Sequence, residues 1–320
     1  MRRLSTLALS LLLTIPLFAS EDVIRKGFNV SEGGTLRLDA SIGSIKIVSG
    51  GSGVAVEITR KARGRAGEER MREHKISVSQ QGNDVVIDSA NDDHDWGFFD
   101  WGGDYEVQWN VRVPSRYNVN VRTSGGSIDL ADIGGTVDAR TSGGSIKTGK
   151  LAGDAQLKTS GGSIRVAGAS SELEAHTSGG SIEIGDAIGR VEAKTSGGSI
   201  TLARVGGNVF ARTSGGGIRI EDAGGTVDAS TSGGSITASL SRPLSNDSKL
   251  STSGGGITVA LAENMKLELD ARASGGGVTS DVPITVRGKQ DDDSLQGQIN
   301  GGGPKLTLRT SGGGIRVKSL

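Results

Sequence analysis

The chain of 320 residues contains no cysteine, which removes both a disulfide framework and a lipid-bearing cysteine from consideration. Aromatic residues are few, with three Trp, two Tyr and five Phe, and histidine occurs three times. Net charge is missing as well. The 36 basic and 36 acidic residues cancel, and removing Arg2 and Arg3 with a leader leaves 34 against 36, or about −2. A near-neutral chain is not drawn electrostatically to nucleic acid or to anionic lipid, so neither is an expected partner. Beyond the first twenty residues no apolar run is long enough to cross a bilayer, so no transmembrane segment is expected once a leader is removed. What the chain has in abundance is glycine, 53 residues placed at fixed intervals, alongside Ser, Thr, Val and Ile. That composition suits short β-strands joined by tight turns.

Residues 1–20 read as a signal peptide. Arg2 and Arg3 supply a positive start, and Leu4 to Phe18 form an apolar stretch too short to span a membrane comfortably. Cleavage is expected after Ala19 or Ser20, the alternative being an uncleaved N-terminal anchor. Export to the periplasm, the cell surface or the medium follows from this reading.

The tetrapeptide Thr-Ser-Gly-Gly begins at Thr123, Thr141, Thr159, Thr177, Thr195 and Thr213, and again at Thr231, with the second glycine sometimes followed by a third. Each copy is 18 residues from the next. A fixed period of this size marks a solenoid, whose repeats cannot bury their apolar faces alone and stack on their neighbours. Each period holds two short alternating segments, one carrying Val137, Ala139 and Thr141 on one parity and the other carrying Ile128 and Leu130 in the preceding copy. Glycine punctuates both, which excludes helical repeats. The expectation is an all-β protein: a right-handed parallel β-solenoid of about 18 residues per rung with an irregular N-terminal cap. Rungs about 4.8 Å apart give seven regular copies a length of about 34 Å. Ile128, Ile146, Ile164, Ile182, Ile200, Ile218 and Ile236 form one interior column, faced by small residues such as Ala139 and Ala175. The glycine pairs are expected to supply positive φ and close backbone approach at the bends.

Three columns invite a functional reading. Ranked Thr residues could match an ice lattice, but Thr141 shares the inward parity of Val137 and Ala139, where its hydroxyl serves the turn backbone. Arg122, Arg140, Lys158, His176, Lys194 and Arg212 form a basic stripe, partly offset by Asp138, Glu174 and Glu192 two residues earlier in their repeats. Its reading is either a site for an anionic polymer or a scaffold ladder, and overall charge balance favours the ladder. The calcium-binding nonapeptide G-G-x-G-x-D-x-U-x also fails to fit, because Ile128 and Leu130 stand where Gly and Asp are needed.

The regularity breaks at both ends. Residues 115–320 form the regular part, with insertions near 243–248 and 287–300, the second carrying Asp291, Asp292 and Asp293 as an expected solvated tip. Residues 21–114 are irregular. They contain a worn copy at Asp39–Ile47, strand-like runs at Val54–Ile58, Ile76–Ser79, Val85–Ile87 and Val107–Val113, and a charged stretch, Ala66–Lys75, expected as a short surface helix. They also contain an aromatic and acidic insertion over 90–106. Trp96, Phe98, Phe99, Trp101 and Tyr105, with Trp109, are six of the ten aromatics and could anchor a partner. Asp92, Asp93, Asp95, Asp100 and Asp104 could hold calcium through oxygen, though EF-hand spacing is missing. The competing reading is a loop that folds its aromatics over the solenoid end.

The Val111-Arg112-Val113-Pro114 step, the Gly-Gly-Ser-Ile turns, the early Gly43-Ser44-Ile45 turn and the closing run Leu306 to Ile315 resemble the bacterial putative-adhesin family of unknown function, over about residues 28 to 320. The resemblance implies a β-helical envelope protein and carries over no site residues. Polymer-acting β-helix enzymes need clustered carboxylates with a base or a metal. Here His74, His94 and His176 are scattered, and the serines sit in glycine turns. The function expected is therefore a non-enzymatic exported solenoid, without a cofactor, that meets an envelope or cell-surface protein or glycan. A periplasmic sensor or regulatory module is the alternative, and a polysaccharide-active enzyme the third reading.

Overall fold

The computed structural model describes residues 20–89, 104–286 and 291–320, so residues 1–19 and most of the aromatic insertion lie outside the described residues. Two long sheets, of 14 and 15 strands, enclose one continuous apolar core. Each regular coil contributes one short strand to each sheet, so the solenoid is two-sided. In the first sheet Ile128, Ile146, Ile164, Ile182, Ile200, Ile218 and Ile236 pair in parallel, and the column runs on to Ile45, Ile257 and Ile315. All are buried. In the second sheet Ala139, Ala175, Ala193, Ala211 and Ala229 are buried opposite them. Branched side chains from one sheet thus fill the space left by small ones from the other.

The threonines Thr123, Thr141, Thr159, Thr177, Thr195, Thr213 and Thr231 point inward at one bend and are nearly buried. Each hydroxyl donates to a glycine carbonyl of the neighbouring coil, as Thr141 does to Gly126 at 2.8 Å and Thr177 to Gly162 at 2.8 Å. The turn glycines differ from expectation. No glycine of the regular repeat has positive φ; among the described residues those that do are Gly33, Gly43, Gly50, Gly64, Gly82, Gly301 and Gly302, in the irregular parts. What the repeat requires is space. A Cβ on Gly162 would lie 2.1 Å from the carbonyl oxygen of Gly144 in the next coil. Coils stacked at sheet spacing leave no room for a side chain there.

The stacking order departs from chain order at both ends. Near the N-terminus the coil built from Thr35–Ala40 and Ser44–Ser49 pairs on one side with Asn118–Thr123 and Ile128–Leu130. On its other side it pairs with Asp84–Asp88 and Tyr105–Val113. The first coil in sequence is therefore second in the stack. The C-terminal end mirrors this. Lys305–Thr310 and Ile315–Ser319 lie between Ser248–Thr252 with Ile257–Leu261 and the outermost pair Leu267–Ala273 with Val278–Ser280. The 18-residue spacing first lengthens where residues 243–247 loop out between directly stacked coils, and after Thr252 the chain steps over one place in the stack and returns to it.

Antiparallel strands close the ends. Val54–Ala62 pairs with Tyr105–Val113, and Ser20–Phe28 pairs with Val54–Ala62 to form the edge of the first sheet. Ser77–Gln81 edges the second. The helix, expected over Ala66–Lys75, spans Gly64–Glu73 and packs on Val54–Ala62. Residues 243–247 form a loop whose Leu244 tucks into the core. The second insertion contains strand: Ser294–Ile299 runs antiparallel to Leu267–Ala273. The side chains of Asp291, Asp292 and Asp293 are exposed, while the Asp292 and Asp293 carbonyls accept from Val278 N–H at 2.9 Å and Ala273 N–H at 2.8 Å. The acidic run takes the place of a further coil along those two amides.

Candidate functional site

Two regions gather chemistry: the outer face of the second sheet and the N-terminal cap. On the sheet face, stacking places like-numbered positions of successive coils side by side, so charges meet in ladders. Arg140 pairs with Asp138 at 3.0 Å and donates to Gln156 at 2.7 Å, and Gln156 donates to Glu174 at 2.9 Å. His176 lies 3.4 Å from Glu192, which also takes Arg190 at 2.5 Å and Lys194. Phe210 continues the acidic column as a ring, with the Arg212 guanidinium 4.2 Å and the Lys194 ammonium 4.9 Å from its centroid. The hydrogen bond from Lys194, joined by that from Arg190 against the opposing effect of burial, holds the Glu192 carboxyl at a pKa of about 2. Burial, reinforced by the Lys194 charge, lowers that of His176. A groove of about 270 Å³ runs past Lys158, His176 and Lys194. Lys194 and the His176 ring both face Glu192 of the same ladder, an arrangement that lets basic side chains stack on a scaffold face.

At the N-terminal cap the repeat is interrupted. In a regular coil five positions separate the inward Thr from the inward Ile, as from Thr123 to Ile128. In the outermost coil Ser89 follows Asp88, which pairs with Asp39, and so falls in the Thr column; Trp109 pairs with Ile45 and so falls in the Ile column. Twenty positions separate Ser89 from Trp109. The aromatic and acidic insertion therefore replaces a single Thr-Ser-Gly-Gly turn.

Both ends of that insertion are fixed. Ser89 N–H donates to the Asp39 carbonyl at 2.9 Å, and its hydroxyl accepts from Ser41 N–H at 3.2 Å. At the other end the Asp104 carbonyl accepts from Arg63 N–H at 2.7 Å, and Gly67 of the helix sits so close to it that a Cβ would come within 2.1 Å. Beside the Asp104 end lies a polar cluster around the buried His74. His74 Nδ1 is 2.7 Å from Tyr105 Oη, and His74 Nε2 is 3.5 Å from Ser41 Oγ. The His74 ring meets Tyr105 and Trp109 edge-on, at 5.7 and 6.3 Å between centroids. Arg60 donates to the carbonyls of Met71 at 3.0 Å and His74 at 3.2 Å and pairs with Asp22. Burial foremost, with the Arg60 charge, brings His74 down to a pKa of about 4, and burial pushes Tyr105 up to about 12. At neutral pH both side chains are uncharged.

Of the residues singled out as anchors, Trp96, Phe98, Phe99 and Trp101 lie outside the described residues, as do Asp92, Asp93, Asp95 and Asp100. Trp109 is fully buried, its indole N–H donating to the Ile42 carbonyl at 2.9 Å over Gly43, whose φ is +102°. It serves the core. Tyr105 is half-buried on His74, and the Asp104 side chain is exposed. Among the described residues no group of three His, Asp or Glu side chains is placed to hold a metal ion. Sequence reading missed His74, Arg60 and Ser89 as the base of the insertion. Their signal was available in the parity of Trp109 with Val107 and Val111, which marks it as an inward residue.

The family described as Toastrack DUF4097 matches residues 42–318. The chain belongs to that family. The match takes in the glycine turns and the closing strands on which the family resemblance rested. No curated protein matches this Toastrack chain. Among solved structures it is similar to a putative cell adhesion protein from Clostridium sporogenes, at 11% identity over 95% of this chain and 100% of the other, with a TM-score of 0.24. A putative adhesin from Parabacteroides merdae gives 13% identity over 93% and 96%, with a TM-score of 0.36. A putative lipid binding protein from Parabacteroides distasonis gives 12% over 93% and 97%, with a TM-score of 0.31. Likenesses this distant assign no activity to the Toastrack chain. Among its described residues no helix is long and apolar enough to cross a membrane.

Proposed function

We propose that the chain is an exported, non-enzymatic binding protein that attaches to an envelope or cell-surface partner through the insertion at its N-terminal cap. One observation carries this reading: the insertion stands in for a single repeat turn of the outermost coil, and its two ends are fixed, Ser89 to the neighbouring coil and Asp104 to Arg63 at the start of the helix. A segment rich in Trp, Phe and Asp, presented from the end of a rigid rod, suits contact with a large partner. The regular coils support the reading from the other side. Many of their charged groups are paired within a strand or with the neighbouring rung, as Arg140 is with Asp138 and Arg165 with Glu183, which suits the repeat to the role of spacer.

Replacing Trp96, Phe98, Phe99 and Trp101 together by Ala is expected to abolish binding of the purified protein to envelope fractions and intact cells, with melting unchanged. Undiminished binding by this folded variant would refute the proposal. Protease added to intact cells separates two locations for the same site. Cleavage identifies a surface attachment protein, and protection identifies a periplasmic sensor or regulatory module.

A further inference from the structure

The four sheet edges of the rod are unequal. Two are short, Ser77–Gln81 and Val278–Ser280, the latter partly covered by the Asp292 carbonyl, and of the third Thr285–Val286 are the described residues. The fourth, Ser20–Phe28, is nine residues long. It pairs with Val54–Ala62 on one side, and among the described residues no backbone hydrogen bond reaches its other side. A long unpaired edge is a template for another strand. This one carries none of the devices that blunt an edge by shape: it has no proline and no bulge in its register.

Its sequence, Ser-Glu-Asp-Val-Ile-Arg-Lys-Gly-Phe, is acidic before the centre and basic after it. Antiparallel pairing with an identical strand brings the two halves together. A twofold axis normal to the sheet preserves faces, so directly opposed residues must share parity. The register centred on Ile24 satisfies this and opposes the acidic half of each strand to the basic half of the other. It sets Asp22 opposite Lys26 and Ile24 opposite Ile24 of the second copy, with Glu21 diagonal to Arg25. Opposite charges meet twice on one face, and again along the diagonals of the other. Within the chain Asp22 also pairs with Arg60, Arg25 with Glu57 at 2.7 Å, and Lys26 donates to the Val78 carbonyl at 3.1 Å. These contacts hold the charged groups along the edge.

We infer that this edge is a self-association surface, and that two copies of the chain join through Ser20–Phe28 as an antiparallel pair, making one sheet continuous across the dimer. The contact is isologous, so it consumes both edges and closes at two copies. It is argued from Ser20–Phe28 alone and stands independently of that proposal.

The test is sedimentation of the purified protein over a concentration series, with two charge reversals, Asp22→Lys and Lys26→Glu. Wild type is expected to dimerise. Each reversal puts like charges opposite one another twice and should raise the dissociation constant about tenfold or more. Mixing the two variants in equal amounts sets the introduced lysine of one against the introduced glutamate of the other. It also leaves the native Lys26 of the first facing the native Asp22 of the second, and should restore wild-type association. Melting curves confirm that each variant is folded, and Lys26→Glu leaves the Asp22–Arg60 pair in place should Asp22→Lys unfold. A wild type that remains monomeric, a folded Lys26→Glu that associates like wild type, or a mixture no tighter than its components would overturn the inference.

Discussion

At the bend that begins at Thr159 the two glycines of Thr-Ser-Gly-Gly have different tasks. The second sits against the carbonyl of the coil below, so that a Cβ on Gly162 would approach Gly144 O to 2.1 Å, whereas one on Gly161 would stand 3.3 Å from Gly143 O. Backbone atoms in a stacked sheet cannot step aside for one methyl without disturbing both neighbouring rungs. Gly162→Ala should therefore cost about 1–3 kcal/mol, while Gly161→Ala should stay within about 1 kcal/mol of wild type. Denaturant melts of the two variants decide between them. That the glycines mattered was legible from their spacing. Their reason was not, because the collision is with a residue 18 positions away and φ in the bend is unremarkable. The inward Thr column was legible from parity, since Thr141 continues the alternation of Val137 and Ala139.

Among the elements, the N-terminal cap has the pH response. His74 has a folded pKa of about 4 against 6.5 for an ordinary imidazole, with burial the main cause and Arg60 adding to it. A depressed value means that the unfolded chain takes up the proton first. The cap therefore keeps its full stability above about 6.5, loses it as pH falls towards about 4, and loses no more from this group below that. His74→Gln should flatten this part of the response. Hydrogen exchange over Gly64–Glu73 and Tyr105–Val113 at pH 7 and pH 4.5 measures it, with wild type losing more protection than the variant. The elements themselves were readable: the helix lies two residues earlier than its charge pattern suggested, and the strands at Val54, Val85 and Val107 are all present. The cluster that joins them was not, because Ser41, Arg60, His74 and Tyr105 are brought together only by the return of the chain to the outer coil.

For the molecule as a whole, the repeat announced the solenoid and its inward columns, but it could not announce the order of the coils. Spacing between Thr231, Thr252, Ala273 and Thr310 suggests a line with lengthening loops, yet Thr310 pairs with both Thr252 and Ala273. Sequence distance records how far the chain travels, and docking decides where it lands. Two deletions separate the roles of these coils. Removing residues 160–177, one complete period, should leave a cooperative fold, since a regular coil touches only its neighbours. Removing residues 305–320 should cost far more, because it withdraws the coil that holds the outermost one in place. Circular dichroism melts of the two truncated chains compare them, and equal losses would contradict the stacking order. The same arrangement has a mechanical side. An ordinary solenoid pulled from one end gives up its last rung first and unravels in sequence. Here a load on the C-terminus falls on Ile315–Ser319, which is bonded to Ile257–Leu261 on one side and Val278–Ser280 on the other. Parallel strands gripped on both flanks must slide together before they can part, so the chain is tethered by a clasp at the end where a simple coil would fray.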